Sequence, residues 1–228
     1  SSSGSSSSNK SRDYRRGVAM VEAIVSEEWH WLISMSLERQ PLMEINEDYS
    51  GRGGGNAAIP VVVQDYVFER MQALKLVKQI MKTAPDSFPV ALGRSLVATA
   101  QSETDNTRRV CMETLRILLI SNARVAVMSG GLSTLLNAIF EPLFADMVDQ
   151  LTTAVLFTLN DPRSRRFLRP HLDLRIFFAP FTDLDADEAE LLPSWRASKS
   201  ALVIILRSWV GLSMVTSDEL ALPTLAKL

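Results

Sequence analysis

The chain has 228 residues, 46% of them hydrophobic, 22% charged and 7% aromatic, with a formal net charge of −2. It is long enough for a continuous core and lies in the ordinary compositional range of globular chains. Near-neutral charge gives no global reason to expect nucleic acid as a partner, and a single cysteine, Cys111, excludes an internal disulfide.

Residues 1–13 open on a serine tract with nothing apolar to bury and are expected to be disordered. Between Tyr14 and Leu37 two helices are expected: Val18, Val21, Ile24 and Val25 recur at helical spacing, and Trp29, Leu32, Ile33 and Ser36 continue it. The stretch at about 40–64 breaks that pattern. Its Gly51–Gly55 segment reads as a flexible insertion, and Pro60–Val63 as a short extended piece. No strand leads into the glycines and no Lys-Ser/Thr follows them, so a phosphate cradle is not expected.

From Tyr66 the helical pattern returns and holds. Met71, Leu74, Val77, Ile80 and Met81 form one broad apolar face, which Pro85 closes. Ser87 with Pro89 marks a new start, followed by Leu92, Leu96 and Val97. The next stretch, Asn106 to Asn160, reads as an amphipathic helix over Thr107–Asn122, a break at Gly130-Gly131, a compact apolar helix over Leu132–Phe140 and a longer helix after Pro142. Glycine suits such a break because it alone takes a positive φ without steric cost. Asp161-Pro162 is a helix start, with Asp as cap and Pro in the first turn. Pro170 and Pro180 bracket a short apolar helix, and an acidic loop, Asp183–Glu190, precedes a long helix beginning near Trp195. Thr216 and Glu219 are placed for a capping box. Trp195 and Trp209 are expected as core anchors.

The long helices superpose. Ala73, Cys111, Leu151 and Ala201 are each followed four positions later by Val77, Leu115, Val155 and Ile205, at intervals near the period of armadillo and HEAT arrays. A unit in which a short helix feeds two longer ones cannot bury its apolar face alone and needs neighbours. The expected architecture is therefore all-α: an armadillo/HEAT-like α-solenoid over residues 14–228, read as a fragment of a longer protein. An irregular helical bundle satisfies the same helix faces.

The apolar run Ala201–Val215 carries Arg207 near its centre and falls short of the roughly 20 apolar residues a membrane span requires, so no transmembrane segment is expected. A search for catalytic chemistry returns nothing. His30 and His171 have no second ligand at metal spacing, Cys111 lies mid-helix among apolar neighbours, and the acidic loop lacks the layout of a calcium site. No catalytic, metal or cofactor-binding residue is expected. One charged cluster remains: Arg163-Ser-Arg-Arg-Phe-Leu-Arg169. If it were helical, Arg165 and Arg169 would share a face with Arg166 to one side, a set suited to gripping an acidic peptide or a phosphate.

Several segments, taken in order, resemble a known family. They are Glu69-Arg-Met-Gln-Ala-Leu-Lys-Leu-Val-Lys-Gln-Ile80, Ser129-Gly-Gly-Leu132, Arg165-Arg-Phe-Leu-Arg-Pro-His-Leu-Asp-Leu174, Ala179-Pro-Phe-Thr-Asp183 and Leu206-Arg-Ser-Trp-Val-Gly-Leu212. Together they resemble the N-terminal armadillo-like region of the Rictor/pianissimo family, from about Tyr66 to Val215. The glycine-rich insertion departs from that pattern. The resemblance implies a non-catalytic scaffold subunit of the rapamycin-insensitive TOR kinase complex, TOR complex two. It further implies assembly with the TOR kinase and a Sin1-type subunit, signalling to AGC kinases, and a cytoplasmic location with peripheral access to the plasma membrane through the complex. An armadillo adaptor for extended peptides or a small GTPase is the alternative; the ladder of Asn and Trp that such peptide grooves require does not recur here at the repeat spacing.

Overall fold

The computed structural model describes residues 5–26, 29–39, 61–102, 105–181, 193–217 and 221–225. Helices account for its regular structure: α1 (Ser5–Ser26), α2 (His30–Glu38), α3 (Val61–Thr83), α4 (Val90–Ser102), α5 (Asp105–Ser121), α6 (Ala123–Met128), α7 (Gly131–Ala138), α8 (Val148–Asn160), α9 (Pro162–Arg165), α10 (Pro170–Asp173), α11 (Pro193–Leu206), α12 (Trp209–Thr216) and α13 (Ala221–Leu225). Short 3₁₀ turns lie at Pro85–Ser87, Pro142–Phe144, Arg175–Phe177 and Ala179–Phe181. No strand occurs among the described residues.

Four long helices pack in chain order: α3 against α5, α5 against α8, and α8 against α11. The positions aligned by sequence all face inward at these contacts. Ala73, Val77, Cys111, Leu115, Leu151, Val155, Ala201 and Ile205 are all buried in one apolar cluster. Other helices pack beside them: α4 lies against α2 and α5, and α6 and α7 lie against α5. Burial of each large aliphatic side chain contributes on the order of 1.5–3 kcal/mol, so these seams dominate the stability of the stack.

Helices α5, α8 and α11 end in the same manner. After α5 the Asn122 side chain accepts the Val125 N–H at 3.1 Å and starts α6, while its own amide donates to the Pro85 carbonyl at 2.8 Å. After α8 the Asp161 carboxylate accepts from the Arg163 and Ser164 N–H groups and starts α9. After α11 the Ser208 hydroxyl accepts the Gly211 N–H at 2.9 Å and starts α12. Capping oxygens satisfy N–H groups that a new helix otherwise leaves bare, which is why chain direction can change within one or two residues. At the break before α7, Gly130 has φ 86°, the left-handed conformation expected of a glycine there.

Several expectations need correction. Helix α1 begins at Ser5, inside the segment expected to be disordered, because serine is only mildly unfavourable in a helix and the turns that follow pack on α3. Helix α3 begins at Val61, so Val61–Val63 is helical rather than extended; contacts made further along α3 override β-branched propensity. The rest of the insertion up to Pro60, and the acidic loop Asp183–Glu190, lie outside the described residues. Thr216 is the last residue of α12 and donates back to the Leu212 carbonyl instead of capping a new helix; Glu219 lies outside the described residues. The Pro170–Pro180 stretch is α10 followed by 3₁₀ turns rather than one helix.

Trp195 is buried and meets Phe181 edge-on at 5.5 Å, as a core anchor should. Trp209 is 82% exposed. It opens α12 immediately after the chain bends by 115° between α11 and α12, and that bend turns its side chain away from the α8 seam. The same bend divides the apolar run, and among the described residues no single helix is long and apolar enough to cross a membrane.

Candidate partner-binding surfaces

One strip of surface runs from the starts of α11 and α8, past the N-terminal half of α5, to Lys78 near the end of α3. Its main depression, about 470 Å³, lies between the α7–α8 connection and the start of α11, with Phe140, Pro142, Val148 and Ala197 supplying apolar walls. A shallower one of about 300 Å³ continues past Lys78, Arg109 and Glu113, and the two meet at Asp146. The α5 arginines hold this strip together. Arg108 donates to the Ala100 carbonyl at 3.0 Å and to Glu141 at 2.6 Å, and it stands over the Phe144 ring. Arg109 forms a two-pronged pair with Asp146 and donates to the Leu143 carbonyl at 2.9 Å. The Arg109 guanidinium holds the Asp146 carboxyl below the usual carboxylate range. The acids along the strip are therefore largely neutralised from within, and Asp149 accepts the Ser200 hydroxyl at 3.1 Å. Such a surface offers shape and apolar contact rather than a strong field.

The arginine cluster lies elsewhere. Helix α9 stops at Arg165, Arg166 and Phe167 form a turn, and Arg169 directly precedes Pro170 with φ −115° and ψ 79°. Proline disfavours helical backbone in the residue before it, so the helix cannot run through Arg169. Arg165 and Arg169 therefore do not share one helical face, contrary to the spacing argument. Arg165 is half-buried, while Arg166 and Arg169 are exposed. The Arg169 N–H donates to Asp173 at 2.7 Å, and the Arg166 guanidinium lies 4.7 Å from the centre of the Phe167 ring.

Arg166 and Arg163 instead join Arg124 on a depression of about 590 Å³, with Phe157 and Phe167 among its walls. Helical spacing does not bring Arg124 into this set. A signal existed: Asn122-Ala-Arg124 and Asp161-Pro-Arg163 repeat a cap-x-Arg pattern at one interval of chain, each directly after a long helix. The Asp161 carboxyl is held below its usual range, first by the Ser164 hydroxyl donated at 2.5 Å and then by the two backbone N–H groups.

A protein-family model described as "Rapamycin-insensitive companion of mTOR, N-term" matches residues 62–225. Protein pianissimo A of Dictyostelium discoideum is 29% identical over 170 residues, which cover 66% of this chain and 15% of that protein. The rapamycin-insensitive companion of mTOR from Mus musculus is 29% identical over 164 residues, covering 66% of this chain and 10% of its own length. The target of rapamycin complex 2 subunit ste20 of Schizosaccharomyces pombe is 23% identical over 168 residues, 68% of this chain and 13% of that protein. The chain thus spans a small part of these relatives. The matched segment contains the four long helices but for the first residue of α3, with every buried position that aligns between them, and on that match the chain belongs to the Rictor N-terminal family.

Proposed function

We propose that this chain is a non-catalytic scaffold region of TOR complex two, built as an armadillo/HEAT-like α-solenoid that holds partners by shape. One observation carries the reading: the family match coincides with the segment in which long helices with equivalent buried positions pack in chain order. Stacked units of this kind produce extended surfaces whose output is binding geometry. The TOR kinase and a Sin1-type subunit are the proposed partners, and phosphorylation of AGC kinases is the proposed consequence of assembly. The site of action is the cytoplasm, with the plasma membrane reached through the complex.

The strip centred on Asp146 is the proposed main contact, and the turn segment carrying Arg165, Arg166 and Arg169 a second one. Affinity purification of the full-length protein followed by mass spectrometry tests the reading: TOR should be recovered with it, and a preparation consistently free of TOR sinks the proposal. Charge reversal at Arg165 and Arg169 tests the second contact, since unchanged recovery of TOR and the Sin1-type subunit removes those two arginines from the assembly.

A further inference from the structure

The structure assigns a further docking site to this chain, separate from the Asp146 strip: the depression walled by Arg124, Arg163 and Arg166 takes an acidic, extended peptide segment carrying one apolar side chain. Arg124 follows the cap of α6 and Arg163 follows the cap of α9, so two successive units place a guanidinium at equivalent positions along one edge. Among the described residues none of these three arginines is in an ion pair, whereas Arg108, Arg109 and Arg116 all are. Two carboxylates also face the depression. They are Asp161, which caps α9 and interacts electrostatically with Arg163, and Asp86 on the Pro85–Ser87 turn. The three guanidinium groups outnumber the two acids, and planar guanidinium forks match carboxylate geometry in two-pronged contacts.

The apolar component points to a peptide. Phe157 is 54% exposed on the wall and is joined there by half-buried Ile120 and Phe167. A free phosphate would leave this apolar surface unused. A nucleic acid would call for a longer basic track than three arginines beside Asp86 on a chain of net charge −2. An acidic segment with an aliphatic side chain uses both components, its carboxylates directed to Arg163 and Arg166 and its apolar group to Phe157. The assignment stands on this geometry and does not depend on which complex the chain joins.

Fluorescence anisotropy with the 228-residue chain tests it, using a labelled probe peptide in which runs of glutamate flank one leucine. Saturable binding is expected, weakened at least about tenfold by R163E/R166E and by added salt, and tightened by Asp86→Asn. R165E/R169E should leave it unchanged, and Phe157→Ser should lower affinity to that of a probe with glycine in place of leucine. The substituted side chains are exposed except Arg165, which is half-buried, so matched circular dichroism spectra and melting curves serve as the folding control. Absence of saturable binding overturns the site, as does equal loss in both arginine pairs. Capture on phosphatidylserine vesicles that depends on Arg163 and Arg166, without peptide binding, also overturns it.

Discussion

Asn122 ties the start of α6 to the turn after α3, and its substitution gives a graded test of that joint. Its side-chain oxygen caps α6 and its amide nitrogen donates to the Pro85 carbonyl, two bonds in opposite directions from one half-buried side chain. Asn122→Ala removes both. Loss of the cap costs about 1 kcal/mol. Loss of the bond to Pro85 costs about 1 kcal/mol more. A combined 2 kcal/mol corresponds to a fall in melting temperature of about 4–8 °C for a chain of this size. Asn122→Ser retains a capping oxygen but cannot reach Pro85, so it should lose only about half as much. Urea and thermal unfolding followed by circular dichroism measure both variants against the parent. The reasoning fails if Asn122→Ser is as damaging as Asn122→Ala, or if Asn122→Ala stays within about 0.5 kcal/mol of the parent.

Other outcomes follow from the same coordinates. Gly130 has φ 86° and open space where a Cβ would stand, so Gly130→Ala should cost about 1–2 kcal/mol of backbone strain alone. Gly130→Asn should cost less, and equal losses in urea titrations would contradict this. The Thr152 hydroxyl is buried on α8 with no hydrogen-bond partner among the described residues, so Thr152→Val should be neutral or raise stability by about 1 kcal/mol. A marked drop in the unfolding midpoint would show that the hydroxyl is satisfied. Glu113 is held below the usual carboxylate range, chiefly by hydrogen bonds from Arg116 at 2.7 and 2.9 Å. A depressed carboxyl stabilises the fold fully above its unfolded value of about 4.3 and loses that contribution as pH falls through the lower folded value. The acid limb of the stability profile should therefore be flatter in Glu113→Gln than in the parent, and superposable limbs would refute the link.

Much of this protein was legible from local rules. Pro85 stops α3, Asp161 with Pro162 starts α9, and Gly130 turns left-handed, because capping and backbone sterics act within a few residues. The register of the long helices was legible too. Ala73, Cys111, Leu151 and Ala201 repeat on one face, and a side chain on the apolar face of an amphipathic helix has only the core to enter.

The placement of the arginines and of Trp209 was not legible in the same way. Spacing put Arg165 and Arg169 on one helix; Asp161 starts that helix late and Pro170 ends it early, so a four-residue α9 points Arg163 and Arg166 toward Arg124. Arg124 lies far from them in the chain and joins them only because α6 packs against α9. Trp209 has the composition of a core residue, and the bend between α11 and α12 leaves it in solvent. The pattern of apolar residues along the chain determined which helix faces are hidden, because burial of apolar surface is the dominant favourable term and depends on local periodicity. Which charged side chains meet was decided by the angles at helix ends, where a cap or a proline redirects the chain and everything after it.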